Sequence, residues 1–162
     1  MSNEGSHHWL AIPLTFLVAI TLTLLPMPEW TVWMRPAWVL LVQIYWTMML
    51  PYRVNVGTAW CVGIVLDVLD GTLLGEHALA LVIVTYFVSK MHSQLRMYTL
   101  LQQGLWVFLF VLVYQFTLYC IQGFLGALPK TWLYWSCAAT SMVLWPWVFS
   151  IMRDYRRRFK VA

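Results

Sequence analysis

The sequence predicts an all-α integral membrane protein, a single transmembrane domain built as a bundle of about six helices. Composition is the first reason. Of 162 residues, 62% are hydrophobic and 10% are charged, against about 45–50% and about 25% in soluble domains. A chain this short leaves much of its surface exposed, so water cannot be the solvent for such an apolar excess. The second reason is a succession of six apolar stretches separated by short turns. The third is the sorting of basic residues to alternate turns.

Taken in order, the expected spans cover residues 9–25, 36–50, 54–69, 77–91, 100–125 and 131–152. The first stops at Pro26 and Pro28, since proline cannot continue a helix without losing a hydrogen bond. The second opens at Pro36, which suits a first helical turn, and stops at Pro51. Spans two, three and four are short against the ~20 residues that a bilayer core requires, so they read as tilted or partly re-entrant. Before the first span there is no Lys or Arg and no cleavage motif follows it, which argues against a removable signal peptide. Cys61, Cys120 and Cys137 lie in apolar runs and read as packing residues rather than redox or metal groups.

Charge sets the orientation, because cytoplasmic loops collect Lys and Arg. With six spans, eight of the ten basic residues fall on one side: Arg53, Lys90, Arg96, Arg153, Arg156, Arg157, Arg158 and Lys160. Only Arg35 and Lys130 fall on the other. The expectation is a topology with both termini cytoplasmic and a basic tail at 153–162. That tail satisfies the orientation rule and also suits anionic lipid headgroups through Arg153, Arg156, Arg157, Arg158 and Lys160. Trp9, Trp30, Trp33, Trp38 and Trp132 fall at span ends, where an amphipathic ring favours the interface. Trp46, Trp60 and Trp106 lie deeper and read as ordinary helix or lipid contacts.

Polar residues inside apolar runs are the candidate functional ones. Asp67 is the clearest, because a carboxylate at membrane depth normally finds protein or water and a partner. Gly63, Asp67, Gly71 and Gly75 repeat every four residues. On a continuous helix they would form a small-residue face for another helix. Asp70-Gly71 equally reads as a helix end, in which case both aspartates merely close span three at the interface. Arg35 either pairs with Asp67 or Asp70 or snorkels to the interface. Pro146 should kink the sixth span.

Catalytic residues and cofactors are not expected. The sequence contains no G-x-S-x-G, H-E-x-x-H or phosphate-binding glycine loop. No metal-ligand spacing connects His7, His8, His77 and His92. Asp67 and Asp70 lack the further oxygen ligands that a magnesium–diphosphate site needs.

The runs Arg35–Leu41, Tyr45-Trp46, Pro51–Gly57, Gly63–Asp67, Gly71–Gly75, Leu144–Trp147 and Met152-Arg153, in this order and spacing, resemble MreD, the rod shape-determining inner-membrane protein family. Ala37 departs from the pattern, in which Asn often follows the Arg-Pro pair. The resemblance implies a part in the cell-elongation machinery for lateral-wall peptidoglycan synthesis. Its implied partners are MreC, the RodA–penicillin-binding transpeptidase pair, the MreB system at one remove, and membrane lipid; nucleic acid is not among them. It also implies likeness to the substrate-binding subunits of energy-coupling vitamin transporters, with six helices around a pocket near the outer face. Two readings follow. One is a non-enzymatic scaffold whose fold or interface is shaped by Arg35, Pro36, Asp67, Asp70, Gly71 and Gly75. The other is a transporter-like subunit that binds a small molecule or lipid in a pocket ringed by Arg35 and Asp67.

Overall fold

A computed structural model describes residues 7–161. Among them the ordered structure is entirely helical: α1 (His7–Leu24), α2 (Glu29–Val32), α3 (Trp38–Met49), α4 (Val56–Asp70), α5 (Glu76–Met97), α6 (Leu100–Phe124) and α7 (Ser136–Arg158), with one 3₁₀ turn at Trp132–Trp135 before α7. Glu76–Met97, Leu100–Phe124 and Trp132–Arg158 are long and apolar enough to cross a membrane, while Leu10–Leu24 and Trp38–Met49 are shorter apolar helices. The fourth stretch, read as short at 77–91, is in fact a full 22-residue helix. Charged and polar residues at its far end, from Lys90 to Arg96, masked its continuation.

The organising element is α3. Ten of its twelve residues are buried, and it packs against α1, α5 and α7, with lesser contact to α6. A helix apolar on every side belongs in a core. That explains how so short an element is accommodated: twelve residues rise only about 18 Å, but protein rather than lipid surrounds most of its length. Tyr45 and Trp46 are fully buried. The Trp46 indole N–H donates to Thr15 Oγ1 at 2.9 Å, joining α3 to α1. Trp145 on α7 is also fully buried and donates to Gln103 Oε1 on α6 at 3.4 Å.

α4 and α5 approach each other closely. A Cβ on Gly63 would stand 2.2 Å from Ala78 Cα, so only glycine permits this contact. α7 remains helical through Pro146. Proline has no N–H for the Met142 carbonyl, and that oxygen faces Gly104 of α6, where a Cβ would lie 3.7 Å away. The outer flanks of the bundle are apolar and exposed, for example Leu10, Leu17, Leu101, Phe116, Val143 and Ile151. Such a surface is suited to lipid and would be a liability in water.

The long helices alternate in direction. The Tyr155 hydroxyl donates to the Ala11 carbonyl at 3.0 Å, so the start of α1 and the end of α7 share one end of the bundle. Arg96 reaches the end of α3 there as well. The opposite end is formed by α2, the α4–α5 turn and the α6–α7 connection.

Candidate functional site

The polar residues singled out by sequence meet helix ends. α4 stops at Asp70, and Gly71 follows in the left-handed conformation at φ 67°. The Thr72 N–H returns to the Asp67 carbonyl at 3.1 Å, which is the hydrogen bond of a glycine-terminated helix. Gly75 is also left-handed, at φ 103°, and precedes α5. Gly71 and Gly75 therefore lie in the connection, and the four-residue small face does not extend past Asp70. Of that set, Gly63 alone makes a close helix approach.

Asp67 is fully buried. Its carboxylate accepts from the Gly75 N–H at 2.8 Å, the His77 N–H at 2.9 Å, the His77 ring Nδ1–H at 2.8 Å and the Thr72 hydroxyl at 3.2 Å. The N-terminal N–H groups of a helix lack intrahelical partners, and Gly75 has no side chain with which to cap α5. Asp67 supplies that cap from the preceding helix. His77 Nε2 stands 4.0 Å from Asp70 Oδ2, so the imidazole lies between two carboxylates. In the sequence His77 marks the start of a span and shows no metal-ligand spacing; nothing there pairs it with Asp67. The available signal was an Asp and a His ten residues apart across a glycine-rich turn.

Arg35 pairs with neither aspartate. Its guanidinium donates to the Thr23 carbonyl and to the Leu25 carbonyl at 2.6 Å, closing the end of α1. Pro36 is buried just ahead of α3. At the other end of the bundle, Arg96 donates through Nε to the Met48 carbonyl at 2.7 Å and through Nη2 to the Met49 carbonyl. α3 ends at a half-buried position, and this arginine satisfies carbonyls that water would otherwise take. Among the described residues, neither Arg35 nor Asp67 lines any of the main concavities.

Two concavities stand out instead. One is an apolar groove of about 260 Å³ between α1 and α7 over α3, lined by Leu14, Val18, Trp38, Val42 and Ile151 among others. The other, about 470 Å³, lies between Trp33, Thr72, Glu76, Gln122, Pro129 and Tyr134, at the α2 end. Beside it, Glu76 is 3% exposed and accepts from Gln122 Nε2 at 2.8 Å. The tail residues Arg153, Arg157, Arg158 and Lys160 are exposed, and Arg156 is half-buried, all on or just beyond the last turns of α7.

A family model described as rod shape-determining protein MreD matches residues 5–155. The chain belongs to the MreD family. A curated relative, the rod shape-determining protein MreD of Haemophilus influenzae, is 35% identical over 117 residues, covering 70% of each chain. No solved structure matches the chain. Family membership assigns this MreD-family protein to rod-shape determination and, with its three long apolar helices, to the membrane. The residue runs from Arg35 to Gly75 that suggested MreD from sequence are also those that build α3, the Asp67 cap and its glycine turn.

Proposed function

We propose that this protein is a non-enzymatic scaffold of the cell-elongation machinery, spanning the bacterial inner membrane with six helices and cytoplasmic termini. In this reading it organises MreC and the RodA–transpeptidase pair for lateral-wall peptidoglycan synthesis, with MreB coupled through them. One observation carries it. Asp67 and Arg35, two of the charged groups near helix ends, are spent on those ends, while an accessible apolar groove runs along the helices between α1 and α7. A surface of that kind offers shape to another helix, and packing is what drives helix association in lipid. The single membrane helix of MreC is the proposed occupant. The clustering of Arg53, Arg96 and the α7 tail at the end where Ala11 meets Tyr155 supports the orientation.

The test fills the groove. Val18 and Ile151 line it and are 52% and 65% exposed, so Val18→Trp and Ile151→Trp should insert and fold. Expected is loss of MreC co-purification and failure to restore rod shape in cells lacking their own copy. Full association and rod restoration by both inserted variants would overturn the groove as the scaffold's contact surface.

A further inference from the structure

The cavity at the α2 end contains a feature that scaffolding does not use. Glu76 lines it and is 3% exposed. Among the described residues the only ion pairs within 4.0 Å are those of His77 with Asp67 and Asp70, so Glu76 has no cationic partner. A neutral amide, Gln122, provides its side-chain hydrogen bond, and the N-terminus of α5 provides a partial positive charge. Buried carboxylates are ordinarily paired. Lys130 adjoins the cavity-lining Pro129 but is exposed and forms no ion pair. The walls beside Glu76 include Trp33 and Tyr134, and aromatic faces attract cations. The Tyr134 hydroxyl is already engaged with the Gln115 carbonyl at 3.2 Å, which leaves its ring as the surface offered.

We propose that this cavity binds an organic ammonium group, with Glu76 as its counter-ion and Trp33 and Tyr134 as its aromatic walls. The volume of about 470 Å³ accommodates a headgroup-sized ligand. Two sources share the chemistry: the ethanolamine headgroup of a phospholipid, or a free amine. Trp30 and Trp132 nearby in the chain are 76% and 91% exposed, as expected of rings at headgroup level, which places the opening where a lipid headgroup resides. This inference is independent of the scaffold reading and of which side of the membrane this end faces.

Native mass spectrometry of the full chain in detergent tests it, with phosphatidylethanolamine, phosphatidylglycerol of matched acyl chains, and free ethanolamine as probes. Expected is preferential retention of phosphatidylethanolamine over phosphatidylglycerol. Glu76→Gln keeps the shape and the Gln122 contact, and should weaken that retention roughly ten-fold, the value of one charge-assisted hydrogen bond. Trp33→Leu, which leaves Glu76 untouched, should weaken it about three-fold through loss of a ring face. Binding of free ethanolamine alone, with the same sensitivity to both variants, assigns the site to a soluble amine and supports the ammonium chemistry. Equal retention of the two lipids with no ethanolamine adduct overturns the proposal. So does binding that is unchanged in whichever of the two variants retains the wild-type melting temperature.

Discussion

The Asp67 carboxylate takes the His77 backbone N–H and the His77 imidazole Nδ1–H on the same oxygen, at 2.9 and 2.8 Å. One residue of α4 thereby positions both the first turn of α5 and the side chain above it. The other carboxylate oxygen holds the Gly75 N–H at 2.8 Å. Asp67 is thus a helix cap delivered across a turn, and its burial is tolerated because several donors satisfy it.

Asp67→Ala should destabilise the protein by about 3 kcal/mol, since it leaves buried N–H groups without an acceptor. His77→Ala should cost less, about 1 kcal/mol, because the two backbone donors keep their partner. Thermal melting of the purified protein in detergent measures both. Equal losses would mean that the imidazole, rather than the helix terminus, is what the carboxylate serves.

Arg96 spans two carbonyls at the end of α3, Met48 and Met49. Arg96→Met removes both donors while keeping the aliphatic stem. A loss of about 1–2 kcal/mol is expected, moderated because the arginine itself is exposed. Arg96→Lys should recover only part of it, since an ammonium does not reproduce a planar fork. Hydrogen exchange at the end of α3 would show the local fraying directly; unaltered protection in Arg96→Met would rule out the capping role.

Two glycines should respond differently to alanine. At Gly71 no heavy atom lies within 4 Å of a new Cβ, but φ is +67°. The cost of Gly71→Ala is therefore conformational, about 1 kcal/mol, with Gly71→Asn milder. At Gly63 the Cβ would meet the Ala78 backbone at 2.2 and 2.6 Å, and α4 must move away from α5. Overpacking of that kind costs about 1–3 kcal/mol or more. Melting temperatures should fall further for Gly63→Ala than for Gly71→Ala, and the reverse order would refute the helix contact.

The Trp46–Thr15 hydrogen bond invites a double-mutant cycle. Trp46→Phe and Thr15→Val should each destabilise, with a coupling of about 0.5–1.5 kcal/mol. Additive effects would show that the indole contributes by volume alone.

Much of the helix plan was legible because hydropathy and proline placement act locally. The boundaries of α6, observed at Leu100–Phe124, differ from the expected 100–125 by one residue. The helix stop at Asp70-Gly71 was legible as one of two alternatives, and the left-handed φ of Gly71 decides between them. The partners of the polar residues were not legible. Arg35 binds carbonyls 10 and 12 residues back, and Glu76 meets Gln122 46 residues on. Neither spacing carries a local signature.

By itself the sequence determined that this chain belongs among membrane helices, roughly where most of those helices lie, and the family that it resembles. Those properties follow from transfer free energy and backbone chemistry, which depend on neighbours along the chain. Only the tertiary structure decided that α3 is the core, that Asp67 and Arg35 each close a helix end and do not pair with each other, and that Glu76 lies beside a cavity with no cationic partner. Burial and hydrogen-bond pairing depend on what arrives from distant helices, and a linear pattern does not encode which group that will be.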